Sequence, residues 1–317
     1  MVLNIVFLVI GFVILIKGAD FFVDGASGVA GNFKVPKMLI GLTIVAFGTS
    51  APELAVSIKS IIAGSGDMVL GNVIGSNILN ILLILGVSAM FNPLIVKNNT
   101  VRKELPITLM ITAAFAVLLS DSVFAKDVSN SFPRGDGIVL ILFFGVFMYY
   151  LISMSKKKVE NDSEQEYPSM KKSILLTILG LVGIVLGSDF VVDSATGLAK
   201  IIGISERMIS LTVVALGTSL PELVTSITAT RKGECDIAIG NVVGSNIFNI
   251  GMVVGIPVAL LGGITNINFS YVDILVMLIS TLVLFIFSFN NNKISKKEGL
   301  VFIITFIVYY SYVILGK

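Results

Sequence analysis

The sequence predicts an all-α membrane protein with ten transmembrane helices arranged as two inverted five-helix repeats. Three observations favour this fold: the composition, ten long apolar stretches, and a segment that recurs later in the chain. Of the 317 residues, 55% are hydrophobic and only 13% are charged, whereas a soluble domain has about 25% charged residues. The mean hydropathy of +0.99 therefore indicates a chain that lies in a lipid bilayer.

Ten apolar stretches are long enough to cross a membrane, since a bilayer core about 30 Å thick needs roughly 20 apolar residues in a helix. They lie near residues 2–30, 38–62, 68–92, 104–122, 136–154, 173–199, 208–230, 237–262, 271–289 and 298–316. The first lacks the basic region and the small-residue cleavage site of a signal peptide, and is interpreted as a membrane helix.

The basic residues of the loops predict the orientation of these helices. With the N-terminus outside, fifteen Lys and Arg residues fall in inside loops and five in outside segments, and cytoplasmic loops are enriched in basic residues. The one long polar stretch, residues 155–172, has the charge and the aperiodic pattern of a solvated linker. We expect a multi-pass protein of the cell membrane with both termini outside and this linker in the cytoplasm.

A segment of the first half recurs in the second half at an offset of 169 residues. Between residues 41–80 and 210–249, 22 of the 40 positions are identical without a gap. The linker separates a first repeat, residues 1–154, from a second, residues 173–317. Because each repeat holds five spans, an odd number, the second must enter the membrane upside down. Inverted repeats are typical of secondary transporters, whose ion sites lie near the midplane where the repeats meet.

The second and seventh spans contain helix-breaking residues near their centres. Gly48 and Pro52 interrupt the second span, and Gly217 and Pro221 interrupt the seventh, because Gly loosens a helix and Pro removes a backbone donor. A break inside a membrane is tolerated where the freed carbonyl groups line a cavity, and such carbonyls can bind cations. The residues whose backbone is placed for this role are Ala46, Thr49, Ala215 and Thr218.

An acidic residue follows each break, about 15 residues into its span: Glu53 in the first repeat and Glu222 in the second. A charged side chain at mid-membrane costs about 3 kcal/mol unless it is paired or coordinated, and neither acid has a basic neighbour in sequence. Hydroxyl groups three and four residues earlier share its helix face, although Ser and Thr at such positions also cap helices. These hydroxyl residues are Thr49, Ser50, Thr218 and Ser219.

The motif GNVIGSNILN, repeated as GNVVGSNIFN, supplies further oxygen atoms. A hydroxyl and an amide are four residues apart in each copy, Ser76 with Asn80 and Ser245 with Asn249, and so lie on one helix face. The remaining amides of the two motifs are expected to cap helices or to bond between helices: Asn72, Asn77, Asn241 and Asn246.

These residues predict a site for a hard cation. The chain has no histidine and one cysteine, which disfavours the softer transition metals. Calcium takes six to eight oxygen ligands, and two carboxylates balance its charge. We expect Ca²⁺ as a bound ion, no cofactor, the lipid bilayer as surroundings and no evident obligate protein partner. The net charge of +2 and the scattered basic residues exclude nucleic acid as a partner.

The paired motifs GTSAPEL with GNVIGSNILN and GTSLPEL with GNVVGSNIFN resemble the two alpha repeats of the calcium:cation antiporter superfamily, of the prokaryotic sodium/calcium exchanger type. The resemblance implies that Glu53 and Glu222 bind Ca²⁺ and share in binding Na⁺, and that Asn80 and Asn249 line the central site. It also implies that the Na⁺ and Ca²⁺ sites are completed by Thr49, Ser50, Ser76, Thr218, Ser219 and Ser245, with the carbonyls of Ala46 and Ala215.

The chain departs from some relatives at Asn249, where the potassium-dependent and some prokaryotic exchangers carry Asp. Two carboxylates instead of three disfavour potassium co-transport. The function expected is exchange of Na⁺ for Ca²⁺ by alternating access; a Ca²⁺/H⁺ antiporter and a calcium-permeable channel are the alternatives. An enzyme is disfavoured, because no nucleophile and base pair is apparent.

Overall fold

A computed structural model describes residues 2–124, 131–156, 167–203, 215–265, 267 and 270–315. Across these residues, seven helices are long and apolar enough to cross a membrane, or eight if one bent pair counts as a single span. The seven are α1 (Leu3–Phe33 within Val2–Phe33), α4 (Gly66–Phe91), α7 (Arg134–Ser155), α8 (Met170–Ile201), α11 (Cys235–Leu261), α12 (Tyr271–Asn291) and α13 (Lys296–Leu315).

The bent pair is the predicted second span. Helix α2 (Lys37–Thr49) and helix α3 (Ala51–Ile62) meet at an angle of 46°, so the predicted break is confirmed. The chain turns at Ser50, between the two helix-breaking residues, and Pro52 occupies the first turn of α3, where its missing N–H removes no helical bond.

The predicted fourth and seventh spans are less regular. A π-helical turn, Thr100–Glu104, leads into α5 (Leu105–Leu118), and α6 (Asp121–Phe124) follows it. In the seventh span, α9 (Ala215–Thr218) and α10 (Leu220–Arg231) are separated at Ser219, while residues 208–214 lie outside the described residues. The two copies of the acidic motif thus break at repeat-related serines, Ser50 and Ser219.

Glycines allow α1 and α8 to pack with their backbones in contact. A Cβ atom added at Gly180 would lie 2.3 Å from the Phe22 nitrogen, and one added at Gly18 would lie 2.7 Å from the Ile184 nitrogen. No side chain fits between the two helices at these positions. The long helices of the two halves therefore form one closely packed pair beside the broken helices.

The all-α expectation misses a short antiparallel pairing. Strand β1 (Leu94–Ile95) pairs with β2 (Lys293–Ile294), with Leu94 opposite Ile294. Each strand has two residues, too few for an alternating pattern to be read from the sequence. The pairing joins the chain after α4 to the chain before α13.

Candidate cation site

The two helix breaks place both glutamates at the start of a helix. Glu53 lies in the first turn of α3 and Glu222 in the first turn of α10. The helix dipole favours negative charge at this end. The exposed fractions of the two glutamates are 0% and 1%, and the two carboxylates lie close enough to repel each other.

The serines at the breaks do not cap their own helices through their side chains. Ser50 Oγ instead donates to Glu222 Oε1 at 2.9 Å. Ser219 Oγ donates towards Glu53 Oε1 at 3.4 Å and lies 3.3 Å from Ser76 Oγ. A hydroxyl of each half therefore contacts the acid of the other half, and the local capping role is ruled out for both.

Apart from the Ser245 hydroxyl, four buried oxygen atoms of the predicted ligands have no hydrogen-bond partner among the described residues. They are Glu53 Oε2, Glu222 Oε2, Asn80 Oδ1 and Asn249 Oδ1, and the four side chains are at most 1% exposed. A buried oxygen without a partner costs about 1–3 kcal/mol, and more when it is charged. Two acids and two amide oxygens left open in repeat-related pairs have the chemistry of a hard-cation site.

The other hydroxyl residues surround the two acids. Thr218 lies beside the Glu53 carboxylate, and Ser245, fully buried, lies beside that of Glu222. Thr49 is also near Glu222, but its hydroxyl group is 3.0 Å from Asn241 Oδ1 and 3.1 Å from the Val45 carbonyl. The structure thus brings all six predicted hydroxyl side chains to the acids or to their immediate neighbours.

The surroundings of the two carbonyl groups predicted as ligands are not equally well described. The Ala46 carbonyl accepts the N–H of Ser50 at 3.0 Å and lies 3.3 Å from Thr49 Oγ1. It can bind a cation in this conformation only by losing the Thr49 hydroxyl. Ala215 is the first residue of α9, next to residues that are outside the described part of the chain.

The remaining amides bond between helices, as expected. Asn72 donates to the Glu53 carbonyl and Asn241 to the Glu222 carbonyl, both at 3.4 Å. Asn77 and Asn246 bond to each other across the two halves. The motif copies therefore contact each other around the acids, although they are 169 residues apart in the sequence.

Comparison with known proteins agrees with this geometry. A family model described as sodium/calcium exchanger protein matches residues 3–153 and 172–315. The chain belongs to this family. Sodium/calcium exchanger MaX1 of Methanosarcina acetivorans is 32% identical, with 96% of this chain and 97% of the relative aligned. The putative antiporter CaxA of Alkalimonas amylolytica is 36% identical, with 98% of each chain aligned.

A solved structure extends the similarity to the fold. The sodium-calcium exchanger NCX_Mj, soaked with 10 mM Na⁺ and zero Ca²⁺, superposes with a TM-score of 0.85 at 32% identity and covers 98% of both chains. The predicted membership of the calcium:cation antiporters is thus confirmed, and the chain is a helical, multi-pass membrane protein.

Proposed function

We propose that this exchanger-family protein is a secondary antiporter that exchanges Na⁺ for Ca²⁺ across the membrane by alternating access. The observation that carries the proposal is the pair of fully buried carboxylates, Glu53 and Glu222, whose described side-chain partners are hydroxyl groups and not a lysine or an arginine. Charges buried in this way are stable only when something else neutralises them. A bound cation would do so.

The donor set favours Ca²⁺ and Na⁺ as alternative occupants. The four open oxygens, two from acids and two from amides, form a core to which the neighbouring hydroxyls and carbonyls would add, reaching the six to eight oxygen ligands of Ca²⁺. The full proposed set is Glu53, Glu222, Asn80, Asn249, Thr49, Thr218, Ser50, Ser219, Ser76, Ser245, Ala46 and Ala215. Two negative charges balance one Ca²⁺ or two Na⁺, so the ions would compete for the same site.

The proposed architecture is the ten-span arrangement, with residues 1–154 and 173–317 as inverted halves. The reciprocal bonds of Ser50 and Ser219 support it, since each half contributes the same group to the acid of the other. The glycine-lined contact between α1 and α8 supports a movement of these helices as one pair beside the site. This movement would open the site to one side of the membrane at a time.

The proposed location is the cell membrane, with both termini outside and the linker, residues 155–172, in the cytoplasm. The excess of basic residues in the loops on the linker side supports this orientation. The protein is proposed to be a transporter and not an enzyme, with Ca²⁺ and Na⁺ as its substrates and no resident cofactor.

The test is calcium uptake by proteoliposomes that contain the purified protein. Vesicles loaded with Na⁺ and diluted into a Na⁺-free buffer should accumulate ⁴⁵Ca²⁺, and vesicles without the Na⁺ gradient should not. Uptake that follows an imposed pH gradient and ignores Na⁺ would show a Ca²⁺/H⁺ antiporter. Calcium flux down its own gradient without any counter-ion would show a channel.

A further inference from the structure

Four asparagines of the two GNxxGSNxxN segments form a continuous set of hydrogen bonds between the halves. Asn77 Nδ2 donates to the Asn246 carbonyl and Asn246 Nδ2 to the Asn77 carbonyl, both at 3.3 Å. Asn80 Nδ2 donates to Asn246 Oδ1 at 2.9 Å, and Asn249 Nδ2 donates to Asn77 Oδ1 at 3.1 Å. All four side chains are about 1% exposed, so water does not compete for these bonds.

The backbone carbonyls fix the orientation of every amide in this set. A carbonyl oxygen only accepts hydrogen bonds, so Asn246 must turn its NH₂ group towards the Asn77 carbonyl. Its Oδ1 atom then faces Asn80, whose NH₂ group must donate the hydrogen bond between them. Asn80 Oδ1 is thereby directed the other way, and it is one of the four open acid and amide oxygens. In the same way, Asn77 donates to the Asn246 carbonyl, its Oδ1 atom accepts from Asn249, and Asn249 Oδ1 is left open.

We propose that Asn77 and Asn246 are positioning residues, which make Asn249 and Asn80 present an oxygen and not an NH₂ group to the transported cation. This inference rests on the proposed function, because it assumes that the cation binds at the open oxygens. An amide has a donor end and an acceptor end of nearly equal size, and the donor end repels a cation. Without a fixed partner, Asn80 and Asn249 are free to rotate their amides.

Removing a positioning residue should weaken calcium binding and leave the fold in place. Groups that orient a metal ligand typically contribute about 10- to 100-fold to metal affinity. We expect Asn246→Ala and Asn77→Ala to raise the KM for Ca²⁺ in Na⁺-driven uptake by about this factor, with a smaller change in kcat. Ser88→Ala is the control, since Ser88 lies on the same helix as Asn77, is buried and has no described partner.

A double substitution separates orientation from simple packing. A carboxylate has two acceptor oxygens and needs no partner to turn it, so Asn80→Asp should make Asn246 dispensable. In the double variant Asn80→Asp with Asn246→Ala, the KM for Ca²⁺ should return to within a few-fold of that of Asn80→Asp alone. If Asn246 served only to pack the helices, the double variant would remain as impaired as Asn246→Ala.

The outcomes distinguish this inference from the proposed function. If neither the wild-type protein nor Ser88→Ala shows Na⁺-driven uptake, the proposed function is wrong. If both transport calcium but Asn246→Ala keeps the wild-type KM, or Asn80→Asp does not rescue it, the positioning role is wrong. Should Asn246→Ala lose its cooperative thermal unfolding, Asn246→Leu, which has a similar volume and no amide, replaces it in the same comparison.

Discussion

The two halves of the chain match at the buried acids and differ where α1 meets the loop after α10. At the acids, the hydroxyl bonds to the carboxylates have counterparts in both halves, Ser50 to Glu222 and Ser219 to Glu53. At the loop, Lys232 pairs with Asp24 at 2.8 Å and with Asp20 at 3.4 Å. The repeat keeps both acids, as Asp189 and Asp193, but has Ala63 where the second half has Lys232.

Further ion pairs lie in the same region. Glu234 accepts from Lys37 at 2.8 Å and from Ser27 at 3.1 Å, and Asp236 pairs with Lys97 at 2.5 Å. The repeat aligns Lys232 with Ala63 and Glu234 with Ser65, so the first half has neither charge in the corresponding loop. Because cytoplasmic loops are enriched in basic residues, the loop at residues 232–236 is expected on the cytoplasmic side.

This difference indicates what each region must do. A cation shared by two acids requires matched ligands from both halves, whereas the ends of the moving helices can differ. The ion pairs of this loop favour whichever state keeps α1 against residues 232–236. We therefore expect the matched site to set which ions bind, and the unmatched pairs to bias the side from which they enter.

The largest effect is expected from neutralising either acid. Glu53→Gln and Glu222→Gln should each abolish Na⁺-driven calcium uptake, because one remaining carboxylate cannot balance Ca²⁺. Without calcium, both variants should unfold at the wild-type temperature or above it, since the repulsion between the acids is gone. Thermal unfolding with and without Ca²⁺ checks this. The rise in unfolding temperature that Ca²⁺ causes in the wild-type protein should be absent from both variants. Normal uptake by either variant would contradict an equal role of the halves.

A smaller effect is expected where α1 and α8 touch. Gly180→Ala should destabilise the protein by about 1–3 kcal/mol, because the added Cβ would lie 2.3 Å from the Phe22 nitrogen. Gly11→Ala should cost less, because its nearest contacts are longer, 2.9 Å to Phe190 Cβ and 3.0 Å to the Val191 nitrogen. Thermal unfolding in detergent measures both. Gly145→Ala on α7, with nothing within 4 Å, is the control, and equal losses in all three variants would show that the contact between the halves is not tight.

The smallest effect is expected at the unmatched ion pairs. Partly exposed ion pairs contribute about 0.2–1 kcal/mol, so Lys232→Gln should speed hydrogen exchange of α1 around Asp24 by up to about fivefold. Lys59→Gln, at an exposed lysine near the end of α3, serves as the control and should leave that exchange unchanged. Exchange that is the same in both variants would show that the pairs do not hold α1.

The sequence contained enough to predict the acids, their hydroxyl neighbours and the break within two residues of Ser50. These features depend on spacing along one helix and on the offset of 169 residues. The bonds of the serines could not be predicted, because Ser50 at the start of a helix has the pattern of a cap, and its actual partner is 172 positions away. The orientation of the Asn80 amide likewise depends on Asn246, and therefore on packing between the halves.

The most direct measurement for the central claim, that both halves share one cation site, is a crystal structure with Sr²⁺ as an anomalous scatterer in place of Ca²⁺. We predict one strong peak between Glu53 and Glu222, within coordination distance of Asn80 Oδ1 and Asn249 Oδ1, and its loss in Glu222→Gln. A peak bound by the acid of only one half, or one remote from both acids, would contradict the shared site.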